Sequence, residues 1–217
     1  GYKRQSEGFI LAQANSNARL LGDEPFQFFE KFPSIQVAVD ADRKNGIEQL
    51  LSLPEKPEVI LLDDAFQHRK VKAGFYILLT SYGDLYSDDC MLPTGNLRET
   101  RSGAKRADLI VVTKCPFDLS LDKQNDIRKR LKLSVNQQLY FTFIAYDTFV
   151  YGEKQKVNIN EIQSTVKVLV AGIAKPEPFF TYLKNTNDVC LSFPDHHNFT
   201  EKDILEITKT AQNNIII

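Results

Sequence analysis

Residues 108–113 read DLIVVT, four apolar residues held between an Asp and a Thr. A short unbroken run of this kind leaves no polar side for water, and it predicts a strand buried on both faces, as in parallel sheets. Residues 58–64 (EVILLDD), 75–80 (FYILLT) and 167–171 (KVLVA) repeat the form, and residues 35–40 (IQVAVD) read as a further strand. Residues 140–151 are aromatic and β-branched, the composition of an antiparallel strand or hairpin arm. Stretches of helical spacing stand between these runs. Ile47, Leu50 and Leu51 share one face of a helix over residues 43–53, which stops before Pro54. Residues 122–133 predict an amphipathic helix and residues 176–184 another. A last helix starts near Thr200, a good N-cap, with Glu201 and Asp203 suited to its positive end. Strands alternating with helices predict an α/β fold with a mostly parallel sheet.

Composition narrows the function classes. The 217 residues are 42% hydrophobic and 25% charged, which is globular and long enough for a core without disulfides. Basic and acidic residues number 27 and 28, so no dominant basic field is available to grip nucleic acid. Cys90, Cys115 and Cys190 are odd in number and lack metal-ligand spacing, which predicts free thiols in a reducing cytoplasm. No run approaches the ~18 apolar residues of a membrane span, although contact with a bilayer surface stays open. The chain opens on Gly1 and holds one methionine, Met91, as expected of a piece processed or cut from something longer. Residues 1–7 are polar and lead into no apolar signal-peptide core.

In parallel sheets, ligands sit beyond the carboxyl ends of the strands. The polar residues that end the apolar runs are therefore the ones to read: Asp40, Asp63, Asp64, Thr113, Lys114 and Gly172. Asp63 and Asp64 stand where nucleotidases hold Mg²⁺ beside the phosphates, although an acid there also simply caps a strand and meets water. Gln67 and His68 follow them closely. In residues 22–25 (GDEP), Asp23 is either the N-cap of a helix or a general base, and a carboxylate base needs a partner or a dry site. Residues 193–200 (FPDHHNFT) hold two of the three histidines. There, Asp195, His196 and His197 can ligate a metal, orient a base, or form a loop. The lack of further Cys or His at ligand spacing weighs against zinc, and titration near neutrality favours acid–base work.

Residues 92–99 (LPTGNLRE) turn at Pro and Gly and end on Arg98 and Glu99. The guanidinium of Arg98 suits a phosphate, and a surface ion pair is the plainer alternative. Arg101, Lys105 and Arg106 make the stretch locally basic, suited to a phosphorylated substrate or anionic lipid head groups. Residues 113–116 (TKCP) occupy the place of a GTPase base-reading motif but carry Pro116 instead of Asp, so adenine or no base contact is expected rather than guanine. No glycine is followed by lysine anywhere in the chain, so it holds neither a G-x-x-x-x-G-K-[ST] phosphate loop nor a G-x-G-x-x-G fingerprint.

Taken in order, GYKR at 1–4, GDEP, VAVDADR at 37–43, LLDDAFQH at 61–68, LPTGNLRE with RSGAKRADLIVVTKCP at 101–116, AGIAKP at 171–176 and FPDHHNFT resemble the tetraacyldisaccharide 4'-kinase (lipid A 4'-kinase) family in its Bacteroidetes form. The resemblance implies a P-loop NTPase-like α/β kinase. Residues 1–135 would be the core kinase domain without its P-loop segment, and residues 136–217 a smaller part with a β-hairpin and a return to the α/β core. It implies ATP and Mg²⁺ as cofactors, and transfer of the γ-phosphate to the 4'-hydroxyl of a tetraacylated disaccharide 1-phosphate, giving lipid IVA for lipid A. It also implies the cytoplasmic face of the bacterial inner membrane, peripheral membrane contact, no nucleic acid and no obligate protein partner.

Carried residue by residue, Asp23 is the catalytic base, His196 the partner that tunes or orients it, and Asp63 and Asp64 the acids that organise Mg²⁺. Arg43, Gln67, His68, Arg98 and Glu99 match family positions that contact phosphate or substrate. Position 65 is Ala where many members have Gly. The family's glycine-rich GK[ST] loop would precede residues 1–4 and a TTEKD-type motif would follow the last residues. The chain therefore reads as a central piece, and ATP turnover by this piece alone is not expected. Two other readings are a non-catalytic α/β module for nucleotide or lipid head groups, and a zinc hydrolase using Asp63, His68 and His196.

Overall fold

The computed structural model describes residues 6–152 and 155–217, and the GYKR stretch at residues 1–4 lies outside them. Strand β1 (Ile10–Leu11) is followed by two abutting helices, α1 (Ala18–Leu21) and α2 (Asp23–Lys31). Then β2 (Ala38–Val39) pairs antiparallel with β1, and α3 (Arg43–Leu51) follows. Next come β3 (Ile77–Ser81), a 3-10 turn (Arg101–Arg106), β4 (Leu109–Thr113), α4 (Leu121–Leu131) and β5 (Gln138–Phe141). A hairpin of β6 (Phe149–Tyr151) and β7 (Lys156–Asn158) leads into α5 (Ile159–Gln163). The chain closes with β8 (Lys167–Ala171), α6 (Glu177–Leu183), β9 (Val189–Ser192), α7 (Glu201–Ala211) and β10 (Ile215–Ile216).

Contacts group these elements into two compact units. One joins Gly1–Gln49 to Asp147–Ile217, and the other is Leu50–Tyr146. The first unit is thus discontinuous in sequence, a grouping that runs differently from a sequential division near residue 135.

The Leu50–Tyr146 unit is built on β3, β4 and β5, all parallel and in that order. The DLIVVT run is its middle strand. Ile110 and Val112 alternate along β4 with no exposed surface and pack against Ile127 and Leu131, one turn apart on α4. That spacing brings both helix residues to one face. Ser120 caps α4 by accepting from the Lys123 N–H, and Lys132 ends it in the left-handed conformation. Leu85, Ala107 and Cys115 complete the core. Each fully buried Leu, Ile or Val contributes about 1.5–3 kcal/mol.

Three expectations fail here. Strand β3 is not buried on both faces: Leu79 is 63% exposed, because α4 covers one face of the sheet only. Residues 58–64, the EVILLDD run, form no strand; Val59 is 73% and Leu61 88% exposed. An apolar run becomes a strand only by pairing its backbone, and among the described residues this one has no ladder partner. Residues 140–151 also divide rather than form one arm. Their start belongs to β5, parallel to β4, and their end to the β6–β7 hairpin of the other unit.

In the discontinuous unit, β8 lies between β10 and β9, parallel to both. Here the expectation of burial on both faces holds: Lys167, Val168, Leu169 and Ala171 are all buried. Helix α6 connects β8 to β9, and α7 connects β9 to β10. Thr200 caps α7 as its side chain predicts, and the Asp203 carboxylate accepts in return from the Thr200 N–H to complete a capping box. The fold is therefore α/β with parallel sheets and flanking helices.

Candidate active site

The GDEP turn is a junction of two helices. Asn17 caps α1 by accepting from Leu20 N–H. Gly22 closes α1 and opens α2 at φ +98° and ψ 159°, a backbone state that only glycine adopts without strain. Asp23 is consequently the first residue of α2 and not its N-cap, and with Glu24 it places negative charge on the positive end of the helix.

The partner of Asp23 comes from the far end of the chain. Beyond β9 the backbone keeps pairing with β8: Phe193 N–H donates to Ala171 O at 2.8 Å and His196 N–H to Gly172 O at 3.2 Å. The loop is thereby seated at the carboxyl ends of β8 and β9. His196 takes a left-handed φ of +54°. Its Nδ1 lies 3.2 Å from Asp23 Oδ2, and its Nε2 lies 3.8 Å from Asp195 Oδ2. About a third of the Asp23 and His196 side chains is exposed, so the pair is both held and open to a substrate. A carboxylate joined to an imidazole in this way can accept a proton from a hydroxyl and share it with the ring.

His197, the other histidine of the pair, faces elsewhere. Its Nε2 meets Asp203 Oδ2 at 3.0 Å, and its ring stacks on Phe193 at 4.9 Å with Phe199 edge-on at 5.1 Å. The Asp203 carboxylate accepts from the Thr200 N–H at 2.8 Å and the Thr200 hydroxyl at 2.7 Å. Those bonds, with His197, hold its pKa down at about 2. Arg43 opens α3, where Asp42 accepts from the Lys44 N–H and Asp40 accepts from the Asp42 N–H and the Asn45 amide.

The remaining expected site residues lie in the Leu50–Tyr146 unit. Asp63 and Asp64 are exposed on a turn, with Asp64 at φ +43°. His68 N–H donates to Ala65 O at 2.8 Å, and its buried Nε2 makes no hydrogen bond. Since residues 58–62 form no strand, the turn is not the carboxyl end of one. It is fastened instead near the amino end of β4 by Arg106, which donates to Phe66 O at 3.1 Å and lies 4.8 Å from the Phe66 ring centre.

Arg106 also grips Glu99 through two bonds of 2.9 and 2.7 Å, and Arg69 adds a third at 3.0 Å. The Arg106 bonds above all hold the Glu99 carboxyl below its usual range. Glu99 is thus occupied by two guanidiniums. Arg98, beside it, is exposed and forms no ion pair among the described residues. Sequence reasoning missed the Arg106–Phe66 tie, for which local spacing carried no signal. Gln67 is exposed on the same turn.

Comparison with known proteins fits this arrangement of motifs. A family model described as "Tetraacyldisaccharide-1-P 4'-kinase" matches residues 1–217. The chain belongs to this family. It is similar to proteins named tetraacyldisaccharide 4'-kinase from Flavobacterium johnsoniae (66% identical over 217 residues) and Flavobacterium psychrophilum (64% over 219), matching along all of this chain and 64% of each relative. One from Bacteroides thetaiotaomicron is 49% identical over 225 residues, covering 95% of this chain and 58% of the relative. The chain therefore spans about 64% of the length of the first of these. No solved structure matches it.

The family's chemistry bears on the two acids of the turn. Among the described residues, no three His, Cys, Asp or Glu side chains gather as a metal site. Mg²⁺ does not need such a cage. It keeps several waters and takes one or two carboxylates plus phosphate oxygens. The donor set of Asp63 and Asp64, two adjacent exposed carboxylates, fits that requirement.

Proposed function

We propose that the protein containing this chain transfers the γ-phosphate of ATP to the 4'-hydroxyl of a tetraacylated disaccharide 1-phosphate, the reaction that yields lipid IVA. The observation that carries this is the Asp23–His196 pair, 3.2 Å apart, about one-third exposed and drawn from two motifs of the family. Asp23 accepts the hydroxyl proton while His196 orients the carboxylate and shares the charge. The sugar oxygen forms its bond to phosphorus as the bond to the β-phosphate oxygen breaks, and ADP leaves. Asp63 and Asp64 would hold Mg²⁺, which supplies charge neutralisation on the transferring phosphate. Arg43, Gln67, His68, Arg98 and Glu99 would contact phosphate or substrate, the guanidinium of Arg98 being suited to phosphate oxygens.

A substrate with four acyl chains resides in a bilayer, and ATP is a cytoplasmic nucleotide. We therefore place the protein at the cytoplasmic face of the inner membrane, in peripheral contact with it. Among the described residues no helix is long and apolar enough to cross a membrane.

The test uses the intact protein, γ-labelled ATP and the lipid disaccharide 1-phosphate. Asp23→Ala and His196→Ala are each expected to lower transfer by about 10²–10⁴-fold. Wild-type transfer in both variants would refute the base assignment. No transfer by the intact wild-type protein would refute the function.

A further inference from the structure

His196 works in a backbone conformation that costs energy. At φ +54° a non-glycine residue is uncommon, and such strain persists only where the surroundings over-determine it. What over-determines it here is the next residue. His197 is held on three sides: the Phe193 ring at 4.9 Å, the Phe199 ring at 5.1 Å and the Asp203 carboxylate at 3.0 Å. The two rings themselves meet edge to face at 5.0 Å, so they brace the imidazole from two sides while about a quarter of its side chain stays exposed. Asp203 is in turn tied down, because it completes the capping box of α7 and accepts from both the Thr200 N–H and hydroxyl. With His197 fixed to the helix and His196 N–H fixed to Gly172 O, the peptide between them has both ends tied.

We propose that His197 and Asp203 are positioning residues for the reaction, locking the loop so that the Nδ1 of His196 points at Asp23. This inference rests on the base assignment made above. The two histidines of the motif have different work: His196 meets the reacting side of the site, and His197 anchors the loop to the amino end of α7. Asp203 remains a carboxylate well below neutral pH, so the anchor is present throughout the range in which a kinase operates. A loosened anchor lets His196 relax toward ordinary φ values and carries its ring off the Asp23 carboxylate. Misplacement by about 1 Å from a remote change lowers rate by up to ~10²-fold.

The experiment is a double-mutant cycle in the intact protein, with transfer from labelled ATP to the lipid disaccharide 1-phosphate as readout. His197→Phe keeps the aromatic stack and removes the ring nitrogen. Asp203→Asn keeps an acceptor at the helix cap and removes the charge; Asp203→Ala would also strip the cap and is avoided. Each variant is expected to lower kcat by about 10–100-fold with the KM for ATP unchanged. In an Asp23→Ala background each is expected to cost less than twofold, because the carboxylate that His196 serves is gone (~ full coupling). Equal losses in both backgrounds would show a general structural role and overturn the proposal. Wild-type kcat in both variants would overturn it as well. A wild-type rate for Asp23→Ala alone is a separate result, which removes the base assignment and this inference with it. Should either substitution fail to fold, the other carries the cycle.

Discussion

His196 Nδ1 lies 3.2 Å from Asp23 Oδ2 although 173 positions separate the two residues in the chain. Groups that act as one unit lose their effect together. The double variant Asp23→Ala/His196→Ala is therefore expected to transfer phosphate no more than about threefold slower than the worse single variant. Single-turnover measurements on the intact protein check this. Multiplicative losses would mean that the two side chains act independently.

Gly22 sets where α2 begins and hence where Asp23 stands. At φ +98° and ψ 159°, an alanine there is expected to cost about 1–3 kcal/mol. Gly22→Ala should lower the denaturation midpoint and slow transfer together, since the same backbone change moves Asp23. A variant with wild-type stability would show that the junction tolerates a side chain.

Gly103 is buried in the 3-10 turn beneath Glu99. A Cβ built there would fall 2.5 Å from the Glu99 carboxylate, which is itself held by Arg106 and Arg69 and cannot swing away freely. Gly103→Ala is expected to destabilise by about 1–3 kcal/mol, the range for overpacking. Glu99→Gln, which removes the charge that two guanidiniums share, should lower the cost of adding the methyl. Urea denaturation of the single and double variants measures both.

Asp203 sets an acid limit. Its pKa is held at about 2, lowered first by the Thr200 N–H, then by the Thr200 hydroxyl and His197. The unfolded chain binds that proton near the ordinary carboxylate value. The contribution of Asp203 is therefore complete above about pH 4 and lost as pH falls through about 2. Melting curves between pH 5 and 2 should show a shallower acid loss in Asp203→Asn than in wild type. Parallel slopes would contradict the assigned bonds.

Lys167 Nζ lies 2.7 Å from Asp188 Oδ2, and neither side chain has exposed surface. Burial pushes the Asp188 carboxyl up, but the bonds from Lys167 and from the Asn185 N–H outweigh it and leave the group ionised. Removing one charge strands the other, at a cost of about 3–5 kcal/mol for a buried pair. Lys167→Met should show that loss by chemical denaturation. Lys167→Met/Asp188→Leu should recover part of it, although the Lys167 and Asn185 N–H groups would still lose their acceptor.

The sequence by itself determined what short range decides. The Thr200 cap, the helices α3, α4, α6 and α7, and the strands β3, β4 and β8 follow from spacing and side chains a few residues apart. The ordered motifs also carried the family. Only the tertiary structure decided which long-range partners exist. Residues 58–62 have the composition of a strand, yet pairing is a property of two segments, and no partner is found for them among the described residues. Asp23 reads as a cap or a base until the loop after β9 brings His196 to it. The two adjacent histidines are alike in composition and part only when Asp23 takes one and Asp203 the other. The reason is physical: helix caps and periodic faces are settled within a few residues, whereas a meeting of side chains from opposite ends of the chain depends on the whole set of packed contacts between them.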